Sequence, residues 1–164
     1  MLKLIQQKYP EFLDTYGKFP LVIQKVDFVR LAYLHQYGGI YADLDYEAHE
    51  NVLKQMQKDF PDKTILIVES PILLNEVFQN SFMYAKRPKQ QFWYECMKSI
   101  HTIMDFLHHP EKICKPEWGG CKYVKNFHGT FTQKLTHLFY TQFMTGSAIL
   151  DKTYVKYNLS KKIK

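Results

Sequence analysis

Along residues 21 to 37, apolar side chains recur at Val22, Val26, Val29, Tyr33 and Tyr37, the three-and-four spacing of one helical face. Gly38-Gly39 follows at once and supplies the stop. Upstream, residues 1 to 16 also read as helical, interrupted at Pro10 and closed by Phe19-Pro20. Downstream, residues 40 to 44 (IYADL) predict a short strand, and residues 51 to 58 a helix that breaks at Asp59-Phe60-Pro61-Asp62. The strongest strand signal is Thr64 to Ser70 (TILIVES), and a continuous apolar strand of that kind is usually covered on both faces. Residues 89 to 109 predict a long helix with Phe92, Trp93 and Tyr94 in the core, and Pro116 to Gly120 a turn region. Helices and strands mix without strict alternation, with no repeat and no linker. The expectation is a single α/β domain over residues 1–164, with a small mixed sheet flanked by helices.

The predicted strand at 40–44 runs into two acids one residue apart. In an extended chain, Ile40, Ala42 and Leu44 share one face, and Tyr41, Asp43 and Asp45 share the other. The apolar set is expected to pack inward, leaving the two carboxylates to project together. Like charges that close raise each other's pKa, and a divalent cation removes the conflict. Oxygen-only ligands suit Mg²⁺, Mn²⁺ or Ca²⁺. A calcium loop of the EF-hand type is excluded, because its sixth position would be Ala48 rather than Gly and its twelfth Lys54 rather than Glu. Two readings stay open on spacing alone: a solvated turn with scattered acids, or a metal site that holds a diphosphate. Asp27 and Arg30 sit three apart, on one face of the helix that leads into the acids. They form either a local ion pair or part of the same site.

Composition narrows the classes. A chain of 164 residues can bury about 70% of its unfolded surface. At 46% hydrophobic and 16% aromatic, it is far from a disordered composition. No apolar run reaches 18 residues, and Met1 to Lys8 holds too few apolar residues for a signal peptide, so a cytoplasmic chain is expected. The net charge of +6 is concentrated in a tail, 151–164, with Lys152, Lys156, Lys161, Lys162 and Lys164. Such a tail is either simply solvated or a point of peripheral membrane contact. Cys96, Cys114 and Cys121 are read as thiols, and His101, His108 and His109 lack zinc spacing. Lys86, Arg87 and Lys89 lie among aromatics but in no nucleic-acid motif, so no nucleic-acid partner is expected.

The combined pattern Gln24-Lys25-Val26-Asp27-Phe28-Val29-Arg30, Leu34, then Tyr37-Gly38-Gly39-Ile40-Tyr41-Ala42-Asp43-Leu44-Asp45 resembles the DXD-containing sugar-binding region of family 32 glycosyltransferases. It is most similar to the group that includes fungal inositol-phosphoceramide mannosyltransferases. "YPEFLDTYGKFPLVIQ", "QNSFMYAKRPKQQFW" and "TGSAIL" resemble further segments of that group in the same order, over about residues 9–150. Two departures stand out: about 20 residues precede the Asp27 helix where family members have an additional first strand, and Thr-Gly-Ser replaces Thr-Gly-Pro.

The resemblance implies a GT-A-like nucleotide-diphospho-sugar transferase fold, minimal or truncated at the N-terminus. It implies a retaining transfer of a hexose from a nucleoside-diphosphate sugar (GDP-mannose, or UDP-galactose or UDP-glucose) to a hydroxyl of a glycan or glycolipid. By similarity, Asp45 ligates Mn²⁺ or Mg²⁺ directly, and Asp43 contacts the metal through water or the donor ribose. Asp27, Arg30 and Tyr41 line the donor site, and Asn80, Thr145 and Gly146 border the reaction centre. No catalytic base is assigned, and Glu47 and Glu69 are only candidates to assist. The alternative, from another class, is an inactive remnant that binds a sugar nucleotide or a protein.

Overall fold

A computed structural model describes residues 1–69 and 78–108, together with 145–146, 149–150 and 153–154. Helix α1, Leu2–Lys8, closes with the Tyr9 N–H on the Ile5 carbonyl at 2.9 Å. A 3-10 turn, Pro10–Phe12, begins at the proline, which has no N–H to leave unpaired there, and α2, Leu13–Lys18, follows. Helix α3, Val22–Tyr37, is framed by two local devices. The Gln24 side chain accepts the N–H of extended Leu21 at 3.2 Å. At the other end Gly38 donates its N–H to the Leu34 carbonyl at 3.0 Å with φ of +69°. A Cβ on Gly38 would stand 3.0 Å from the backbone carbon of Arg87 and 3.1 Å from the Ala85 carbonyl oxygen. Both the dihedral angle and the space therefore call for glycine.

Helix α3 is the expected element with an unexpected face. Val22, Tyr33 and Tyr37 are exposed and Val26 only half-buried, whereas Gln24, Asp27, Phe28, Val29, Arg30, Leu31, Ala32, Leu34 and His35 are buried. The predicted stripe is largely the solvent side, because α3 is enclosed from two directions. On one, Phe28 meets the rings of Phe12, Tyr16 and Phe19 at 5.6–6.2 Å, and Tyr9 donates to the Ala32 carbonyl. On the other lies α5, Gln91–His108, which contributes Phe92, Trp93, Cys96, Met97, Ile100 and Met104 to the same core. Ile149 and Leu150 join that core. Burial pushes the Cys96 thiol up to about 12, which keeps it an unreactive thiol.

The sheet has strand β1, Gly39–Ala42; β2, Ile65–Glu69; and β3, Phe78–Ala85, in the order β1-β3-β2. Both pairings are antiparallel, with Ala42 opposite Phe82 and Ile67 opposite Met83. The α/β class stands, but the described sheet is antiparallel rather than mixed. Strand β3 escaped sequence reading because the polar run Gln79-Asn80-Ser81 interrupts its apolar pattern. Among the described residues β2 is an edge strand, and no residue of it is fully buried, so it is not covered on both faces as expected. Ile65 and Ile67 pack on the core while Val68 is exposed. Helix α4, Val52–Asp59, lies between β1 and β2, with Asn51 Oδ1 accepting the Lys54 N–H at 3.0 Å.

Strand β1 inverts the expected faces. Tyr41 packs against the core, while Ile40 and Ala42 are exposed and Leu44 projects fully into solvent. The strand stops at Ala42, so alternation does not carry Leu44 inward, and the inner face belongs to Tyr41 and Asp43. The predicted turn at Pro116–Gly120, Cys114, Cys121, His109, the His108 side chain and most of the basic tail lie outside the described residues. Among the described residues no helix is long and apolar enough to cross a membrane.

Candidate functional site

Four segments converge on the middle of α3. Asp27 and Arg30 leave successive turns of that helix and form an ion pair, Arg30 Nη2 to Asp27 Oδ1, at 2.9 Å. Each side chain is no more than 6% exposed. A buried pair of this kind is tolerable only when its remaining hydrogen-bonding capacity is filled. Asn80, on β3, donates its amide to Asp27 Oδ1 at 3.1 Å, and Thr145 donates its hydroxyl to Asp27 Oδ2 at 3.0 Å. Arg30 Nη1 donates to the Asn80 carbonyl at 2.8 Å and reaches Asp43 Oδ1 at 3.4 Å. Its guanidinium lies over the Tyr41 ring, 4.5 Å from the centroid. Among the described residues the buried Arg30 Nε has no partner.

The electrostatics follow from this burial. Desolvation pushes the Asp27 carboxyl up to about 6, against the opposing pull of Arg30, Thr145 and Asn80. Asp43 adds a smaller upward push. The Tyr41 phenol is raised to about 12, first by burial and then by its hydrogen bond to Asp43. That bond, Tyr41 Oη to Asp43 Oδ1, measures 2.6 Å. Asp43 thus has one oxygen held by Tyr41 and Arg30, and a second with no partner among the described residues.

Asp45 differs from the others. The chain turns after β1, the Tyr46 N–H reaching the Asp43 carbonyl at 3.2 Å, with Leu44 and Asp45 at the two central positions. Asp45 is exposed, and among the described residues no hydrogen bond or ion pair holds its side chain. Of the eight residues singled out in the sequence, six meet in one network: Asp27, Arg30, Tyr41, Asp43, Asn80 and Thr145. Asp45 stands beside it, two residues beyond Asp43. Gly146 is buried next to Thr145, and its carbonyl accepts the Ile149 N–H at 3.2 Å. Glu47 and Glu69 are both exposed and outside the network.

The donor set suits a hard divalent cation. Among the described residues Asp43 offers one uncommitted carboxylate oxygen and Asp45 two, all of them hard donors. Among the described residues no cluster of three or more His, Cys, Asp or Glu side chains exists. Two carboxylates would leave coordination positions for oxygen atoms of a ligand. The residues Ser81, Tyr46 and Phe82, which hold the turn, were not singled out from sequence. Nothing in their spacing signals contact with the acids, because β3 itself was not read as a strand.

The comparisons point the same way. Residues 1–65 match the family model described as glycosyltransferase sugar-binding region containing DXD motif. Over 41 residues the chain is 49% identical to mannosyl phosphorylinositol ceramide synthase CSH1 of Saccharomyces cerevisiae, covering 25% of this chain and 11% of that protein. Over 108 residues it is 27% identical to inositol phosphoceramide mannosyltransferase 1 of Schizosaccharomyces pombe, covering 66% and 30%. It is also 44% identical over 43 residues to an uncharacterized glycosyltransferase, L373, of Acanthamoeba polyphaga mimivirus, covering 26% and 17%. The chain thus spans less than a third of the length of these relatives. No solved structure matches. The resemblance read in the sequence holds: residues 1–65 are similar to a glycosyltransferase DXD region, and the chain is similar to mannosyltransferases.

Proposed function

We propose that the chain forms the donor-binding site of a metal-dependent, retaining hexosyltransferase with a GT-A-like architecture. The observation that carries this reading is the buried Asp27–Arg30 pair, wired to Asn80, Thr145 and Asp43 beside an unengaged Asp45. A structural ion pair alone would have no use for a half-engaged acid and an unengaged one at its open end. Asp43 and Asp45 would hold Mn²⁺ or Mg²⁺. When bound, that cation neutralises the diphosphate charge that grows as the glycosidic bond breaks. Asp27 and Arg30 contribute fixed hydrogen-bonding groups for the sugar, Tyr41 holds Asp43, and Thr145 and Gly146 close the far side. The hexose is mannose in the first instance, carried as GDP-mannose, with UDP-galactose and UDP-glucose as alternatives. The acceptor is a glycan or glycolipid hydroxyl.

Calorimetric titration of GDP-mannose, UDP-galactose and UDP-glucose into the chain, with and without Mn²⁺, tests this reading. Binding of one donor that requires Mn²⁺ and is lost in Asp45→Asn supports it. Absence of binding to all three would overturn it. Binding without any hydrolysis or transfer would identify the chain as a binding module instead.

A further inference from the structure

The turn that presents Asp45 is held at both ends by a single residue of the neighbouring strand. The Asp43 N–H donates to the Ser81 carbonyl at 2.8 Å, extending the β1–β3 ladder by one rung beyond Ala42 and Phe82. At the far end of the turn, the Tyr46 hydroxyl lies 3.0 Å from Ser81 Oγ. The Tyr46 ring also packs on the Phe82 ring, 5.5 Å between centroids. Ser81 Oγ is within 3.3 Å of Gln79 Oε1, which gives the hydroxyl an acceptor while Tyr46 donates to it. Leu44 and Asp45 are thereby suspended between two anchored residues, Asp43 and Tyr46, with their own side chains exposed.

We infer that Tyr46 and Ser81 are positioning residues that set the place of Asp45 for a divalent cation; this rests on the metal-site reading above. The physical reason is entropic. An exposed turn with no anchor at its far end would have to be ordered when the cation binds, at about 1–2 kcal/mol of backbone freedom per residue. The Tyr46–Ser81 contact meets that cost during folding, so that the turn carrying Asp45 is already ordered when a cation arrives. Tyr46 is 45% exposed and sits outside the hydrophobic core, so global stability explains its placement poorly.

The test is titration of MnCl₂ in the presence of GDP, followed by electron paramagnetic resonance of the free ion. Wild type is compared with Tyr46→Phe, Ser81→Ala, Ser81→Thr and the Tyr46→Phe/Ser81→Ala double variant. Loss of one hydrogen bond is expected to weaken Mn²⁺ by about three- to tenfold in each of Tyr46→Phe and Ser81→Ala. The double variant should be no weaker than either single one, Ser81→Thr should restore affinity, and the urea midpoint should not move. Unchanged Mn²⁺ affinity in both single variants would overturn the inference while leaving the metal site intact. So would additive losses accompanied by a lower urea midpoint. If wild type itself binds no Mn²⁺, the metal-site reading fails and the positioning role fails with it.

Discussion

The two halves of the site are built on opposite principles. Asp27 and Arg30 are buried on α3, each hydrogen-bonded to a partner 50 or more residues away in the chain. Asp43 and Asp45 lie at the rim: one is half-buried and half-engaged, the other exposed and without a described partner. Arg30 joins the halves, since it pairs with Asp27 and also reaches Asp43. A sealed charge network fixes geometry at the cost of desolvation, and open carboxylates keep their charge available. The contrast is what a site needs if it orients one part of a ligand rigidly and meets the negative part through a cation.

Breaking the sealed half should have the largest effect on stability. Arg30→Met removes the cation and leaves Asp27 buried without it. The unfolding free energy is expected to fall by about 3–5 kcal/mol, read by urea denaturation. A loss below about 1 kcal/mol would show that the pair is not sealed in solution.

Acidity probes the same half without changing its shape. The folded state holds the Asp27 proton more tightly than the unfolded chain does, with a pKa raised from 3.8 to about 6. The stability this adds is fully present below pH 3.8 and is lost as pH rises through about 6; above that the contribution is flat. The total is on the order of 3 kcal/mol. Asp27→Asn should remove this slope from a series of urea midpoints between pH 4 and 7.

Gly38→Ala strikes the junction between the halves, where α3 hands the chain to β1. With φ of +69° and backbone atoms 3.0–3.1 Å from the new Cβ, it should cost about 1–3 kcal/mol. Asp45→Asn, in the open half, should change stability by less than about 0.5 kcal/mol while removing Mn²⁺ binding. That pairing of a silent fold and a lost ligand is the sharpest form of the contrast.

The sequence disclosed these halves unequally. Helix α3 and its glycine stop were legible because periodicity and a C-terminal glycine are local signals. The acid pair was legible as a chemical oddity. Which way β1 faced was not, because alternation describes two faces without saying which meets the core; Tyr41, not Ile40, turned inward. Strand β3 was hidden by Gln79-Asn80-Ser81, a polar run whose Asn80 bonds Asp27 and whose Ser81 holds the turn after β1. Contacts of Asn80 and Thr145 with Asp27 span 53 and 118 residues, and no local pattern could reveal them. The resemblance of their segments to a known family singled out Asn80 and Thr145 as bordering a reaction centre, but not their contacts with Asp27.

The central claim is that the open acids hold a cation against the diphosphate of a nucleotide sugar. Its most direct test is release of nucleoside diphosphate from GDP-mannose, UDP-galactose and UDP-glucose, with and without Mn²⁺, by wild type and Asp45→Asn. The account predicts Mn²⁺-dependent release from one of the three donors, abolished in Asp45→Asn although that variant remains fully folded. Release that ignores Mn²⁺, or that survives in Asp45→Asn, would contradict it.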